Sequence, residues 1–112
     1  MGFAVRPMVL SLLLAAGSAP GMAEVRCPPL LEGHAYARAS VFDGPPEEQA
    51  DLVPDDQRGG VDRWEVGFIF RTRRAPYLVC RYRGTERTVT FRLQRPVGVC
   101  LAPVPPRTAF CR

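Results

Sequence analysis

The chain has 112 residues, 46% hydrophobic and 23% charged, with 12 Pro, 10 Gly and 4 Cys. That is the length of one domain, and it is too apolar and too mixed in charge to be a disordered segment. A single His removes most acid–base and metal-ligand chemistry, and all 15 basic residues are Arg.

Residues 1–23 have the plan of a secretory leader. Arg6 supplies the positive start, residues 8–16 (MVLSLLLAA) form a short apolar run, and Gly21 and Ala23 place small residues before a cleavage point after Ala23. The run is too short to cross a bilayer, and no later stretch is long enough for a transmembrane helix. Cleavage leaves residues 24–112, a single small domain with 14 Arg, 11 acids and all four cysteines, Cys27, Cys80, Cys100 and Cys111. An even cysteine count in a short exported chain predicts two disulfides, formed in an oxidising compartment. The spacing contains no CxxC pair and His34 has no second His, so no metal site and no cofactor are expected.

In chain order, residues 36–42 form the first expected strand, stopped by Asp43-Gly44-Pro45-Pro46. Gly44 as N-cap, Pro45 at the helix entry and Glu47 and Glu48 in the first turn predict one short helix, roughly 46–52, closed by Pro54. Residues 63–71 alternate, with Trp64, Val66, Phe68 and Phe70 on one face, and predict a strand whose aromatic side chains are core. Residues 77–83 and 86–93 predict a hairpin about Gly84-Thr85, a pair suited to a two-residue type II′ loop. That register sets Tyr77 opposite Arg92, Leu78 opposite Phe91, Cys80 opposite Val89 and Arg83 opposite Glu86. It sends Leu78, Cys80, Val89, Phe91 and Leu93 inward, and Tyr77, Val79, Arg81, Arg83, Thr88, Thr90 and Arg92 outward. A last strand is expected over 97–101, followed by a Pro-rich extended tail over 102–112.

The sum is an all-β fold: a small antiparallel sheet of four or five strands arranged as a meander, closing toward a barrel or sandwich, with one short helix and disulfide staples. In a meander Cys80 and Cys100 lie two strands apart, too far to bond, which leaves 27–80 with 100–111 or 27–100 with 80–111. If the last strand crosses to a second sheet, 80–100 becomes possible again.

Charge divides along the chain. Residues 24–65 hold 10 acids and 4 Arg, whereas 66–112 hold 1 acid and 10 Arg. Catalysis finds little support, because Ser40 and His34 would sit about 20 Å apart on one extended strand. Glu47, Glu48, Asp51, Asp55 and Asp56 fit a solvated helix start and turn, and their spacing matches no Ca²⁺ loop. His34 belongs to a loop or strand edge. The arginines carry the functional signal: Arg81, Arg83 and Arg92 on the outer hairpin face, with Arg71, Arg73 and Arg74 in the adjoining turn, make a surface for anionic partners.

The blocks Cys27-Pro28, VFDGPPEE over 41–48, LVPD over 52–55, Trp64, LVCRYRGT over 78–85 and Cys100 resemble a family of small exported proteins of proteobacteria known by a locus-tag name. The resemblance implies a periplasmic protein and transfers no catalytic residue. It covers residues 27–101, so Cys111 and the PVPP tail lie outside it. A looser, fold-level likeness is to the bacterial inhibitors of host lysozyme. The expected function is therefore a non-enzymatic periplasmic module that binds or inhibits an envelope or extracellular protein. The alternative is a binder of anionic envelope ligands, a glycan or a lipid headgroup, through the Arg face. Nucleic acid is not an expected partner in the exported compartment.

Overall fold

The computed structural model describes residues 24–112, and the expected leader lies outside them. Eight strands follow in order: β1 Val25–Arg26, β2 Leu30–Leu31, β3 His34–Asp43, β4 Asp62–Glu65, β5 Pro76–Tyr82, β6 Thr88–Arg92, β7 Val99–Ala102 and β8 Phe110–Cys111. They form two four-stranded antiparallel sheets, one in the order β2-β3-β5-β6 and the other β1-β8-β7-β4. One short α-helix, α1 Gly67–Phe70, follows β4.

The β5–β6 hairpin takes the register that its alternation demands. Tyr77 faces Arg92, Leu78 faces Phe91 and Cys80 faces Val89. A register slipped by one residue would move Leu78 and Cys80, both fully buried, into water. The connection, however, is not a two-residue turn. The ladder ends at Arg81 opposite Thr88, and residues 83–87 make a five-residue loop. Arg87 donates its backbone N–H to Thr85 Oγ1 at 3.1 Å and pairs with Glu32 at 3.1 Å. That loop replaces the expected Arg83–Glu86 contact.

β3 is longer than expected and carries a bulge. Tyr36 pairs with Tyr82, then Arg38 with Arg81, so Ala37 is the extra residue. Without it Tyr36 would share a face with Arg38. The bulge turns Tyr36 inward, 4% exposed, where its ring meets Tyr82 edge-on with centroids 6.2 Å apart. The Tyr82 hydroxyl donates to the Pro28 carbonyl at 2.8 Å, and burial raises the pKa of both tyrosines.

Three expectations are corrected. The strand expected over 63–71 ends at Glu65, and α1 takes its second half. Val66, Ile69 and Phe70 have the i, i+3, i+4 spacing of a helical face, and all three are buried; Phe68, assigned to the core by the period-two reading, is 45% exposed. The helix expected over 46–52 is a single 3₁₀ turn, Pro46–Glu48, which Gln49 ends in a left-handed conformation. The meander does not form either, because β7 leaves the hairpin and pairs with β4 and β8 in the second sheet. The tail is not helical, but it is not extended throughout either: residues 104–107 turn the chain back, and its end pairs with β7 as strand β8.

Cys27 bonds Cys80, with Cα atoms 5.7 Å apart, and so ties the segment after β1 to the middle of the other sheet. Cys100 bonds Cys111 directly across β7–β8, with Cα atoms 4.0 Å apart. Val99 and Arg112 exchange both backbone bonds at 3.0 and 3.1 Å, which leaves 100–111 as the adjoining non-hydrogen-bonded pair, where two strands approach most closely. Both sheets share one core. Val41, Leu78, Cys80 and Tyr82 come from one sheet; Trp64, Cys100, Ala102 and Cys111 come from the other. The Trp64 indole N–H donates to the Leu52 carbonyl at 2.9 Å, so this large ring is buried without an orphaned donor.

Candidate partner-binding surface

The outer face of sheet β2-β3-β5-β6 is set by register. Across β3, β5 and β6 it runs Phe42–Tyr77–Arg92, Ser40–Val79–Thr90 and Arg38–Arg81–Thr88. Its middle is closed: Val79 takes the outward position expected for it, between Ser40 and Thr90, yet is only 3% exposed. Its rim is cationic. Arg38 and Arg81 stand directly opposite each other, an arrangement of like charges that costs stability in a ladder. Arg81 donates from Nε to Ser40 Oγ at 3.1 Å, which holds the guanidinium on this face.

The structure separates the six predicted arginines. Arg81 and Arg92 share the sheet face, and Arg83 lies exposed in the loop just beyond it. Arg73, in a left-handed conformation (φ 65°), joins Arg74, Arg92 and Tyr77 around a hollow of about 190 Å³. Arg71 is exposed at the end of α1. Arg74 is engaged internally: it donates from Nε to Asp43 Oδ1 at 2.9 Å, pairs with Glu48, and donates to the Asp43 carbonyl at 2.9 Å. Gly44 (φ 89°) lies beneath that guanidinium, where a Cβ would collide with it. Two arginines outside the predicted set complete the surface: Arg38 and Arg87 join Arg81, Thr85 and Thr88 around a second hollow of about 390 Å³. Arg38 was not legible as a member, because only the β3–β5 pairing sets it opposite Arg81.

Three acids of the first half pair with near neighbours, Glu24 with Arg26, Asp56 with Arg58 and Glu65 with Arg63, and three, Glu32, Asp43 and Glu48, pair with the basic half. Arg74 and Arg87 are the two ion-pair bridges from the basic half among the described residues. Arg38, Arg81, Arg83 and Arg92 have no carboxylate in ion-pair range among those residues. Their charge is available to a partner.

Asp56 accepts the Arg58 backbone N–H and Nε, both at 2.8 Å, and these bonds lower its pKa from 3.8 to about 2. The folded-state value is depressed, so the stabilising contribution is complete above the ordinary value and disappears as pH falls through about 2. A carbon-detected NMR titration should show the Asp56 carboxyl still ionised at pH 3 in the native chain, and an Arg58→Ala variant should return it toward 3.8.

The other candidate chemistries are dispersed. Ser40 Oγ is taken by Arg81, and His34 donates from Nδ1 to the Arg83 carbonyl at 2.7 Å. Asp55 Oδ2 accepts the Glu65 backbone N–H at 2.7 Å, so it and Asp56 serve different partners. Among the described residues, no three His, Cys, Asp or Glu side chains are grouped to hold a metal ion.

No solved structure matches the chain. A relative from Azospirillum brasilense, described as an uncharacterized 16.3 kDa protein in the trpG 5′ region, is 30% identical over 122 aligned positions, covering 83% of this chain and 80% of the relative. A family model described as type VI secretion system Tli immunity protein matches residues 29–111, which run from just before β2 through Cys111 of β8. That match spans most of the described chain, and the protein belongs to the Tli immunity protein family of type VI secretion.

Proposed function

We propose that the protein is an exported, periplasmic inhibitor that neutralises a lipase effector of type VI secretion by binding it through the cationic face of sheet β2-β3-β5-β6. As a Tli immunity protein it is a non-enzymatic protein binder. The family match over residues 29–111 carries this reading, and the lipase is the kind of partner that Tli immunity proteins bind. Two physical features support it. Disulfides persist in the periplasm, where such immunity proteins often act. A surface held in place before binding avoids the entropy cost of ordering loops in the complex, and free arginines accelerate encounter with an acidic partner.

The test has two arms. Purified residues 24–112, mixed with a type VI lipase from the same bacterium, should form a stable complex and abolish its lipid hydrolysis. The full chain should protect cells that receive this lipase in the periplasm, and a chain lacking residues 1–23 should not. Undiminished hydrolysis at excess protein, with no complex, would overturn the proposal. Salt-sensitive retention on immobilised lipopolysaccharide that disappears in the combined Arg81→Gln, Arg83→Gln and Arg92→Gln variant, while lipase inhibition persists, would assign the face to an anionic envelope ligand instead.

A further inference from the structure

The two sheets have four edges, and three are short or covered. β1 and β2 are edge strands of two residues each. β4 is screened by the preceding chain, because Asp55 N–H donates to the Arg63 carbonyl at 2.8 Å and Arg63 N–H to the Asp56 carbonyl at 2.9 Å. β6 is different. It runs for five residues, Thr88–Arg92, with no Pro and no bulge.

Its hydrogen-bond phase follows from one contact. Leu93 N–H donates to the Pro76 carbonyl at 2.9 Å, so the odd residues 89, 91 and 93 bond inward to β5. The N–H and C=O groups of Thr88, Thr90 and Arg92 must then point away from the sheet. All three residues are exposed, and no other backbone partner for these groups occurs among the described residues. Such a row is a template for another strand, and natural sheets usually blunt it.

We infer that β6 receives an extended segment of the protein partner as a fifth strand, and that this segment alternates acidic and apolar side chains. The inference rests on the docking reading above and specifies its geometry. Side chains of an added strand alternate between the sheet faces. Those on the outer face would lie beside Arg92, which has no carboxylate partner among the described residues, and acids are favoured there. Those on the inner face would lie beside Val89 and Phe91, which pack against the core yet remain only half-buried at this edge, and apolar groups are favoured there. Main-chain bonds supply adhesion, and the two faces set the register.

Thr90→Pro isolates the backbone contribution. Its N–H takes no part in the β5–β6 ladder, and proline is tolerated on edge strands whose N–H faces solvent. This variant should bind the lipase at least about tenfold more weakly than Thr90→Ala, which also loses the threonine side chain but keeps the N–H. Arg92→Glu should weaken the complex by about tenfold or more and reduce its sensitivity to salt. Amide exchange at Thr88, Thr90 and Arg92 should slow in the complex of the unaltered chain, a measurement that decides the matter even if Thr90→Pro does not fold. A complex in which those amides exchange as fast as in the free chain would overturn strand addition while leaving lipase binding intact. Failure of the unaltered chain to bind the lipase would overturn the functional proposal itself, and the inference with it.

Discussion

Replacing Cys27 and Cys80 together by Ala is expected to lower the unfolding free energy by about 4 kcal/mol, while the same change at Cys100 and Cys111 costs about 3 kcal/mol. The difference comes from the loops closed in the unfolded chain: the first bond joins residues separated by 53 positions, the second by 11. Longer loops lose more entropy when closed, although only logarithmically. Against a total of about 5–15 kcal/mol for a domain of this kind, either loss is a large fraction. The Cys27–Cys80 bond also has the greater architectural task. It joins the chain after β1, in one sheet, to β5, in the other, and both sulfurs are buried. Cys100–Cys111 reinforces two strands that are already paired. Denaturant unfolding of the two double variants, followed by far-ultraviolet dichroism, measures the ranking. A larger loss at 100–111 would mean that local β7–β8 pairing, rather than closure of the long loop, limits stability.

Ile69→Ala is expected to cost about 3 kcal/mol, and Phe68→Ala less than about 1 kcal/mol, although the aromatic ring is the larger group. Ile69 is fully buried within α1 and packs in the shared core, so its truncation leaves a cavity that the surrounding sheets cannot collapse to fill. Phe68 is 45% exposed, so nearly half of its surface stays in water after folding and its truncation opens no enclosed cavity. A strand over 63–71 predicts the reverse order, because it would bury Phe68 and expose Ile69. Thermal melts of the two variants therefore distinguish the helix from the strand directly.

The β5–β6 register was legible because one buried face imposes a period of two, and a slip would expose Leu78 and Cys80 together. The start of the acidic turn was legible for a similarly local reason, since Pro45 and Pro46 restrict the backbone wherever they occur. Residues 64–70 were not. Val66 and Phe70 satisfy both a strand and a helix, and only the fates of Phe68 and Ile69 differ. The choice was made by what lay opposite: Val66 N–H bonds the Gly98 carbonyl at 2.9 Å, at the point where the chain turns into the helix.

The candidate surface divides along the same line. Arg81 and Arg92 could be placed on one face from the hairpin alone, because their spacing sits within a single local ladder. Arg38 joins them through a pairing more than forty residues away in sequence, and Arg74 is withdrawn by Asp43 and Glu48 from the other half of the chain. By its own periodicities the sequence determined an all-β domain with short-range hairpin geometry and two disulfides. Their pairing, the division into two sheets and the set of free charges were decided by the tertiary structure, because each depends on which distant segment fills the opposite side of a strand.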